Sequence, residues 1–362
     1  MGFYDISEKV LKLEGQGRKV AKLYVGEPET ETPREVVEAA HKAMLEGKTK
    51  YSSGAGIPKL RQKIAQFHGC KPEQVTVGPG VKWFIFSSMK LLAKRGDNVV
   101  IQSPYYPPYE LNAKSQDLEF RTLKTSVEGK WQVDPAQLEE KIDKRTRIIA
   151  IVNPHNPTST VMQPKVFNEI LEIAQRRKVH VLLDEVYKDI AFRKITTGLD
   201  ARNPLHLTLN GFSKTFSMSG WRVGYCVSSE EIAQEFVKLS NTTVTCVPPF
   251  IQEAAVAAMD LREREAKKLR EAYGNRAALA TRIFSSSKKI KFVRAQSGLT
   301  IFLQVTGLDS DKFVMDLLDR KAIGIAPGGS FGMQDCVRVA LVQPESELEK
   351  NLETIRDELE EA

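Results

Sequence analysis

RIIAIVNPHNPTSTVMQPKVFNEILEIAQRRKVHVLLDEVY, residues 147–187, reads as one strand–helix–strand unit. Its two ends, RIIAIV (147–152) and HVLLD (180–184), are short runs of aliphatic, largely β-branched residues. Runs so uniformly apolar suit strands buried on both faces, the condition of a parallel sheet covered by helices. Between them, PKVFNEILEIAQRRK opens with proline and closes with cations. That is the order a helix prefers. Proline's missing N–H costs nothing in the first turn, and positive charge complements the carbonyl end.

The same alternation extends to both sides. Further strand-like runs are VTV (75–77), NVVIQ (98–102), EFRTL (119–123), HLTLN (206–210) and RVGYCV (222–227). VKWFIFSSMKLLAKRG predicts an apolar helix closed by a glycine cap, and DPAQLEEKI a helix with an Asp cap followed by Pro. The expected fold class is therefore α/β, a mainly parallel seven-stranded sheet with helices on both faces. After about residue 250 the texture changes. A long charged helix (roughly 250–287) leads to KFVRAQSGLTIFLQV, the helix DKFVMDLLDRK, a strand from Val337 to Leu341, and a last helix from about Pro344. Within the long helix, DLREREAKKLREAYGNR reads as a solvated face laced with i,i+4 pairs. Three parts are expected. Residues 1–45 pack on a small domain or reach a partner subunit, 46–250 form the large ligand-binding domain, and 251–362 form a smaller α+β domain.

Bulk composition narrows the class. The 362 residues are 41% hydrophobic and 27% charged, the balance of a folded globular protein rather than a disordered one. The net charge of +7 is scattered among acidic residues, which argues against a nucleic-acid surface. Cysteines at 70, 226, 246 and 336 form no C-x-x-C, so neither a metal cluster nor a disulfide framework is expected. Widely spaced thiols suit a reducing, cytoplasmic setting. The N-terminus lacks an apolar signal core, Ile6 breaks the myristoylation pattern, and no apolar run is long enough to span a membrane.

Ligands of such sheets bind at the carboxyl ends of the strands. After VTV comes GPGVKW, a glycine turn entering a helix, where the N–H groups of Gly80 and Val81 are candidate anion donors. After NVVIQ comes SPYYPPYE, an aromatic wall among prolines that includes Tyr106. After RIIAIV comes NPHNPTST, where Asn156 is a candidate donor to a ligand oxygen. HVLL ends on Asp184, followed by Glu185 and Tyr187. A carboxylate ending an apolar strand needs a cationic partner. After HLTLN comes GFSKTFSMSGWRVGY (211–225), which sets Lys214 and Arg222 among small and apolar residues. Aromatic ledge, amide, carboxylate, phenol, lysine, arginine and anion turn together describe a pocket for a flat, phosphorylated, cationic heteroaromatic aldehyde held by a lysine. Pyridoxal 5′-phosphate has those properties.

The chain resembles the class I/II aminotransferases of fold type I, the aspartate aminotransferase superfamily. The resemblance runs from about Val20 to the C-terminus. It rests on GEPETETP, KTKYSSGAGIPKLR, VTVGPG, SPYYPPY, NPHNPT, DEVY, SKTFSMSGWRVGY, PGGSFG and VRVALV, in that order. It implies that Lys214 is the Schiff-base lysine, that Asp184 faces the pyridine nitrogen, and that Tyr187 and Asn156 bond the ring hydroxyl. It implies that Tyr106 stacks on the ring and that Gly80, Val81 and Arg222 hold the phosphate. Tyr51 is similar to the tyrosine that reaches the neighbouring subunit's site, which implies a homodimer. Arg338 is similar to the arginine that grips the substrate α-carboxylate, with the backbone of Gly26 beside it. Three departures stand out. Ser159 replaces the usual glycine after NPT, Gly211 replaces a serine three residues before the lysine with Ser213 as a substitute, and the N-terminal arm is short.

The resemblance implies ping-pong transamination between an L-amino acid and a 2-oxo acid, with Lys214 carrying the Cα proton. Aspartate and aromatic amino acids are the leading donors. Lys90 is a candidate for a distal carboxylate, though a snorkelling lysine fits it as well, and Phe3, Tyr4 and the SPYYPPY tyrosines are candidates for an aromatic side chain. C–S lyases and decarboxylases share the scaffold, and a cofactor-bound regulatory module is a non-enzymatic rival.

Overall fold

The computed structural model describes residues 2–193, 195 and 198–362. Helix α1 (Phe3–Gly15), strand β1 (Ala21–Lys22), and helices α2 (Arg34–Leu45) and α3 (Pro58–His68) come first. They are followed by β2 (Val75–Gly78), α4 (Val81–Leu92), β3 (Asn98–Ser103), α5 (Pro107–Lys114), β4 (Glu119–Lys124), α6 (Pro135–Lys141), β5 (Thr146–Val152), α7 (Pro164–Arg177), β6 (His180–Asp184), β7 (His206–Gly211) and β8 (Gly224–Val227). The chain ends with α8 (Glu230–Thr243), α9 (Pro249–Phe284), β9 (Lys291–Phe292), β10 (Thr300–Gln304), α10 (Ser310–Lys321), β11 (Ile323–Gly324), β12 (Ala326–Pro327), β13 (Cys336–Ala340) and α11 (Glu345–Glu361).

The seven-stranded sheet runs β2-β8-β7-β6-β5-β3-β4. Its pairs from β4 through β3, β5 and β6 to β7 are parallel, while β8 runs antiparallel to both β7 and β2. The period of two along each strand explains why almost every residue is apolar. Ile149 and Ile151 of β5 face Phe167, Ile170 and Ile173 of α7. Ile148, Ala150 and Val152 point to the other face, toward Phe84, Ile85 and Met89 of α4. Asp134 caps α6 as expected, its side chain accepting from the Ala136 N–H at 3.0 Å.

Three local expectations change. The run RVGYCV becomes a strand only at Gly224, because Arg222 sits at φ +55°, outside the β region. Gly96 does not cap α4, which ends at Leu92. Instead the Lys94 N–H bonds the Asp97 carboxylate at 2.9 Å, and Gly96 takes φ +84° in the following turn. The stretch 260–276 is not merely a solvated face. Arg262 and Arg276 are buried and pair outward from α9, to Asp189 at 2.8 Å and Glu29 at 2.5 Å. Arg264 likewise reaches Glu35. The helix has other elements packed along it, so part of its charge turns toward them.

The second sheet, β12-β13-β10-β9, is antiparallel and packs with α10, α11 and the apolar side of α1. Ile6, Val10 and Leu13 of α1 share one core with Ile301, Leu303, Leu352 and Ile355. β1 adds a short parallel pair with β11. By contrast, α2 lies along α9, Val36 and Ala40 meeting Ala254, Ala255 and Ala258. The carboxyl ends of β5, β6 and β7 open toward this second sheet, and Arg338 of β13 reaches across to them.

Candidate active site

A cavity of about 910 Å³ lies at those strand ends. Asp184, the last residue of β6, is 2% exposed in its wall. Its carboxylate accepts from the Tyr109 hydroxyl at 3.2 Å and the Val186 N–H at 3.1 Å. Burial raises its pKa from 3.8 to about 6 against those two hydrogen bonds. Of the SPYYPPY tyrosines, it is Tyr109 that bonds this carboxylate. It follows Tyr106 by three residues, one turn into α5, and that spacing was its signal.

Lys214 sits in the loop after β7. Phe212, Phe216 and Met218 bury themselves on either side of it and fix the loop, which explains the apolar stretch. The lysine itself is half-buried, its Nζ donating to the Gly26 carbonyl at 2.6 Å. Burial, reinforced by the charge of Arg338 and opposed by Glu27, lowers its pKa from 10.5 to about 8. Arg222 departs from the picture of a cation shut in apolar surroundings, for it is exposed. Its positive φ turns it out of β8, and its guanidinium donates to the carbonyls of Ser219 at 2.7 Å and Pro79 at 3.3 Å.

The glycine turn ahead of α4 is built around that guanidinium. Gly80 has φ +88°, and a Cβ there would stand 2.6 Å from Arg222 Nη2. Its own N–H bonds the Gly78 carbonyl at 2.7 Å. Of the two predicted donors, then, Val81 lines the cavity, and Gly80 supplies the room for Arg222 instead. Lys82, the next residue of α4, also lines the cavity, and burial beside Arg222 lowers its pKa. It was visible in GPGVKW as a cation in the first turn of a helix that opens on the site. Lys90 lies near the far end of α4, exposed and away from the cavity.

Arg338, 4% exposed, donates to Asn156 Oδ1 at 3.1 Å and to the Tyr24 carbonyl at 2.7 Å, with its guanidinium 4.8 Å from the Phe331 ring centre. Asn156, Tyr187, Gly26 and Tyr106 complete the predicted set in the wall. Burial raises the Tyr187 phenol to about 12 and holds the Tyr106 phenol above its ordinary range. Tyr51 is 87% exposed and outside this cavity. Tyr4 stands at the mouth, and the Phe3 side chain lies outside the described residues. Ser159 adopts φ +55°, the conformation that favours glycine, and its hydroxyl lies 2.9 Å from Thr300 Oγ1 on β10. A side chain at Gly211 would meet the β8 backbone, 3.3 Å from Gly224 Cα, whereas Ser213 faces the cavity. No group of three metal-ligating side chains occurs among the described residues, and none of the described helices is long and apolar enough to cross a membrane.

A family model described as aminotransferase class I and II matches residues 18–355. The chain belongs to that family. It is 34% identical to an aspartate aminotransferase of Thermococcus kodakarensis, covering 95% of this chain and 90% of that one. The fold superposes on the crystal structure of an aspartate aminotransferase from Thermotoga maritima with a TM-score of 0.94, at 28% identity, covering 99% and 96% of the two chains. An alanine aminotransferase from Pyrococcus furiosus superposes with a TM-score of 0.92, at 26% identity over 99% and 96%. The protein is thus a pyridoxal 5′-phosphate-dependent aminotransferase of fold type I, and transamination is favoured over elimination or decarboxylation. The aminotransferase's residues fit that cofactor. Among the described residues Asp184 is a buried carboxylate with two neutral donors and no ion pair, as a cationic ring nitrogen requires. The space above Gly80 admits an arginine beside a helix N-terminus, as a phosphate requires.

Proposed function

We propose that this aminotransferase takes an acidic amino acid, aspartate first, as amino donor, and that the cavity residues divide the work as follows. Asp184 holds the ring nitrogen in its protonated form. Arg222, the Val81 N–H and the α4 N-terminus hold the phosphate, Tyr106 covers one ring face, and Tyr187 with Asn156 bonds the ring oxygen. When bound, pyridoxal 5′-phosphate supplies an electron sink that acidifies the substrate Cα–H. Lys214, once its amine is free, takes the proton from Cα and returns it to the other side of the reacting nitrogen. Its lowered pKa leaves a useful fraction neutral near pH 7–8. Arg338 binds the α-carboxylate by a two-pronged contact, and its bond to Asn156 couples that grip to the ring.

The observation that carries the acidic substrate is Lys82. With Arg222 assigned to phosphate and Arg338 to the α-carboxylate, Lys82 is a further cation on the wall that forms no ion pair among the described residues. A distal carboxylate would neutralise it. The name of the Thermococcus relative supports the same reading. The test is Lys82→Met, with alanine as control substrate. KM for aspartate is expected to rise at least ~10-fold, the loss of one charged contact, while alanine is unaffected. Equal effects on both substrates, or none on aspartate, reject an acidic specificity read by Lys82.

Tyr51, exposed in this chain, fits a residue that reaches the neighbouring site of a homodimer. Residues 46–250 fit a large cofactor-binding domain and 251–362 a smaller one, with 1–45 shared between α1 on the small sheet and α2 on α9. Four free cysteines fit a cytoplasmic setting.

A further inference from the structure

Behind the Lys214 loop lies a carboxylate that the cavity does not use. Asp189 sits in the turn after β6, its side chain 11% exposed. Its Oδ2 accepts from the Thr215 hydroxyl at 3.0 Å and pairs with Arg262 Nη2 at 2.8 Å. Thr215 is 1% exposed and immediately follows Lys214. Arg262, on α9, stacks 3.6 Å over the Phe67 ring and donates to the Tyr225 hydroxyl of β8 at 3.3 Å. The Asp189 carbonyl accepts from Arg270 Nη1, also on α9, at 3.1 Å. One residue thus joins the lysine loop to the long helix twice over, and through Arg262 to β8 and α3. Neither Asp189, Thr215 nor Arg262 lines the cavity.

The apolar anchors Phe212 and Phe216 bury the loop, but packing alone permits small slides and rotations. A hydrogen bond to a charged acceptor is directional and sets the register of the backbone it holds. The lysine amine has to leave the cofactor and return to it from one backbone position. A small displacement of that position costs far more in rate than in binding. Arg262 matters in turn because a buried carboxylate holds Thr215 well only if its charge is compensated.

We propose that Asp189 is a positioning residue for amino transfer: through Thr215 it fixes the backbone from which Lys214 acts, and through Arg262 it locks that backbone to α9. The inference rests on the reading of Lys214 as the cofactor-bearing lysine. Asp189→Asn would leave the buried Arg262 uncompensated, so Thr215→Val, which removes only the hydroxyl, is the first variant. Cofactor-free protein is mixed with pyridoxal 5′-phosphate. The Lys214 amine condenses with the aldehyde, forming a C=N bond and releasing one water, and absorbance follows the rate. Thr215→Val is expected to slow this uptake and to lower kcat, each by ~10-fold, with KM within about twofold. Thr215→Ser is expected to restore both. Amide hydrogen exchange across residues 213–217 of the cofactor-free protein is expected to quicken in the Val variant alone. Wild-type uptake, kcat and exchange in Thr215→Val would overturn the proposal, provided Lys214→Ala takes up no cofactor covalently. Covalent uptake by Lys214→Ala would overturn the underlying reading of the lysine instead.

Discussion

Replacing Asp184 by Asn should shift the stability of the cofactor-free protein in the variant's favour as pH rises through 6, and weaken the loaded one. The folded carboxyl has its pKa raised from 3.8 to about 6, chiefly by burial. Below about pH 4 the group is protonated whether the chain is folded or not, and it costs nothing. Between about pH 4 and 6 the folded state keeps a proton that the unfolded state has released, so stability falls as pH rises. Above that window the full cost stands, a shift of about 2 pH units or roughly 3 kcal/mol. Asn keeps the shape and an acceptor for the Val186 N–H, and its amide can donate to the Tyr109 oxygen; the buried Tyr109 proton then loses its acceptor, a cost of about 1–3 kcal/mol that does not depend on pH. Urea unfolding of both cofactor-free proteins at pH 4, 6.5 and 8 measures the effect. Between about pH 4 and pH 8 the difference between them should shift by roughly 3 kcal/mol in favour of Asn. With pyridoxal 5′-phosphate bound Asp should be the more stable, because the ring nitrogen then supplies the missing counter-charge. Identical pH profiles for Asp and Asn would refute the claim that burial strains this carboxylate and that the cofactor relieves it.

Two further outcomes follow from the same wall. Covalent cofactor uptake at Lys214 should quicken as pH rises, with its midpoint near pH 8 and a plateau above it, since only the neutral amine attacks and its pKa is lowered to about 8; a midpoint near 10.5 would contradict the burial argument. Gly80→Ala should fold but bind cofactor at least ~10-fold more weakly, read by titration, because it meets both an unfavourable φ of +88° and the Arg222 guanidinium.

The strands were legible because burial on both faces leaves an apolar signature that needs no knowledge of neighbours. Asp184, Asn156, Tyr106 and Lys214 were legible because strand ends in such a sheet share one rim. Three features were not. Arg222 looked buried because its sequence neighbours are apolar, yet it sits exposed on the cavity wall, at a positive φ that keeps it out of β8. Gly80 looked like a donor, yet its N–H closes a local turn on Gly78. Arg262 and Arg276 looked solvated within a charged run, yet their partners Asp189 and Glu29 lie far away in sequence. The deciding quantities are a dihedral, a backbone hydrogen bond within a turn and long-range contacts, none of which the residue pattern encodes.

The electrostatics of the wall point in one direction. Lys214, Lys82 and Arg338 all have pKa values lowered by burial, with Arg338, Lys82 and Arg222 adding to the strain on Lys214 and Arg222 to that on Lys82. Asp184 is strained in the opposite sense. An α-carboxylate at Arg338, a distal carboxylate at Lys82 and a cationic ring nitrogen at Asp184 would each remove one of these penalties. Ligand affinity here therefore comes partly from relief of strain already stored in the folded chain, not only from new contacts. Such linkage raises stability by RT ln(1 + [L]/Kd), about 2.7 kcal/mol at a hundredfold excess over Kd. The strand ends of the first sheet carry Asp184 and β13 of the second carries Arg338, so these groups are in place before the ligand arrives.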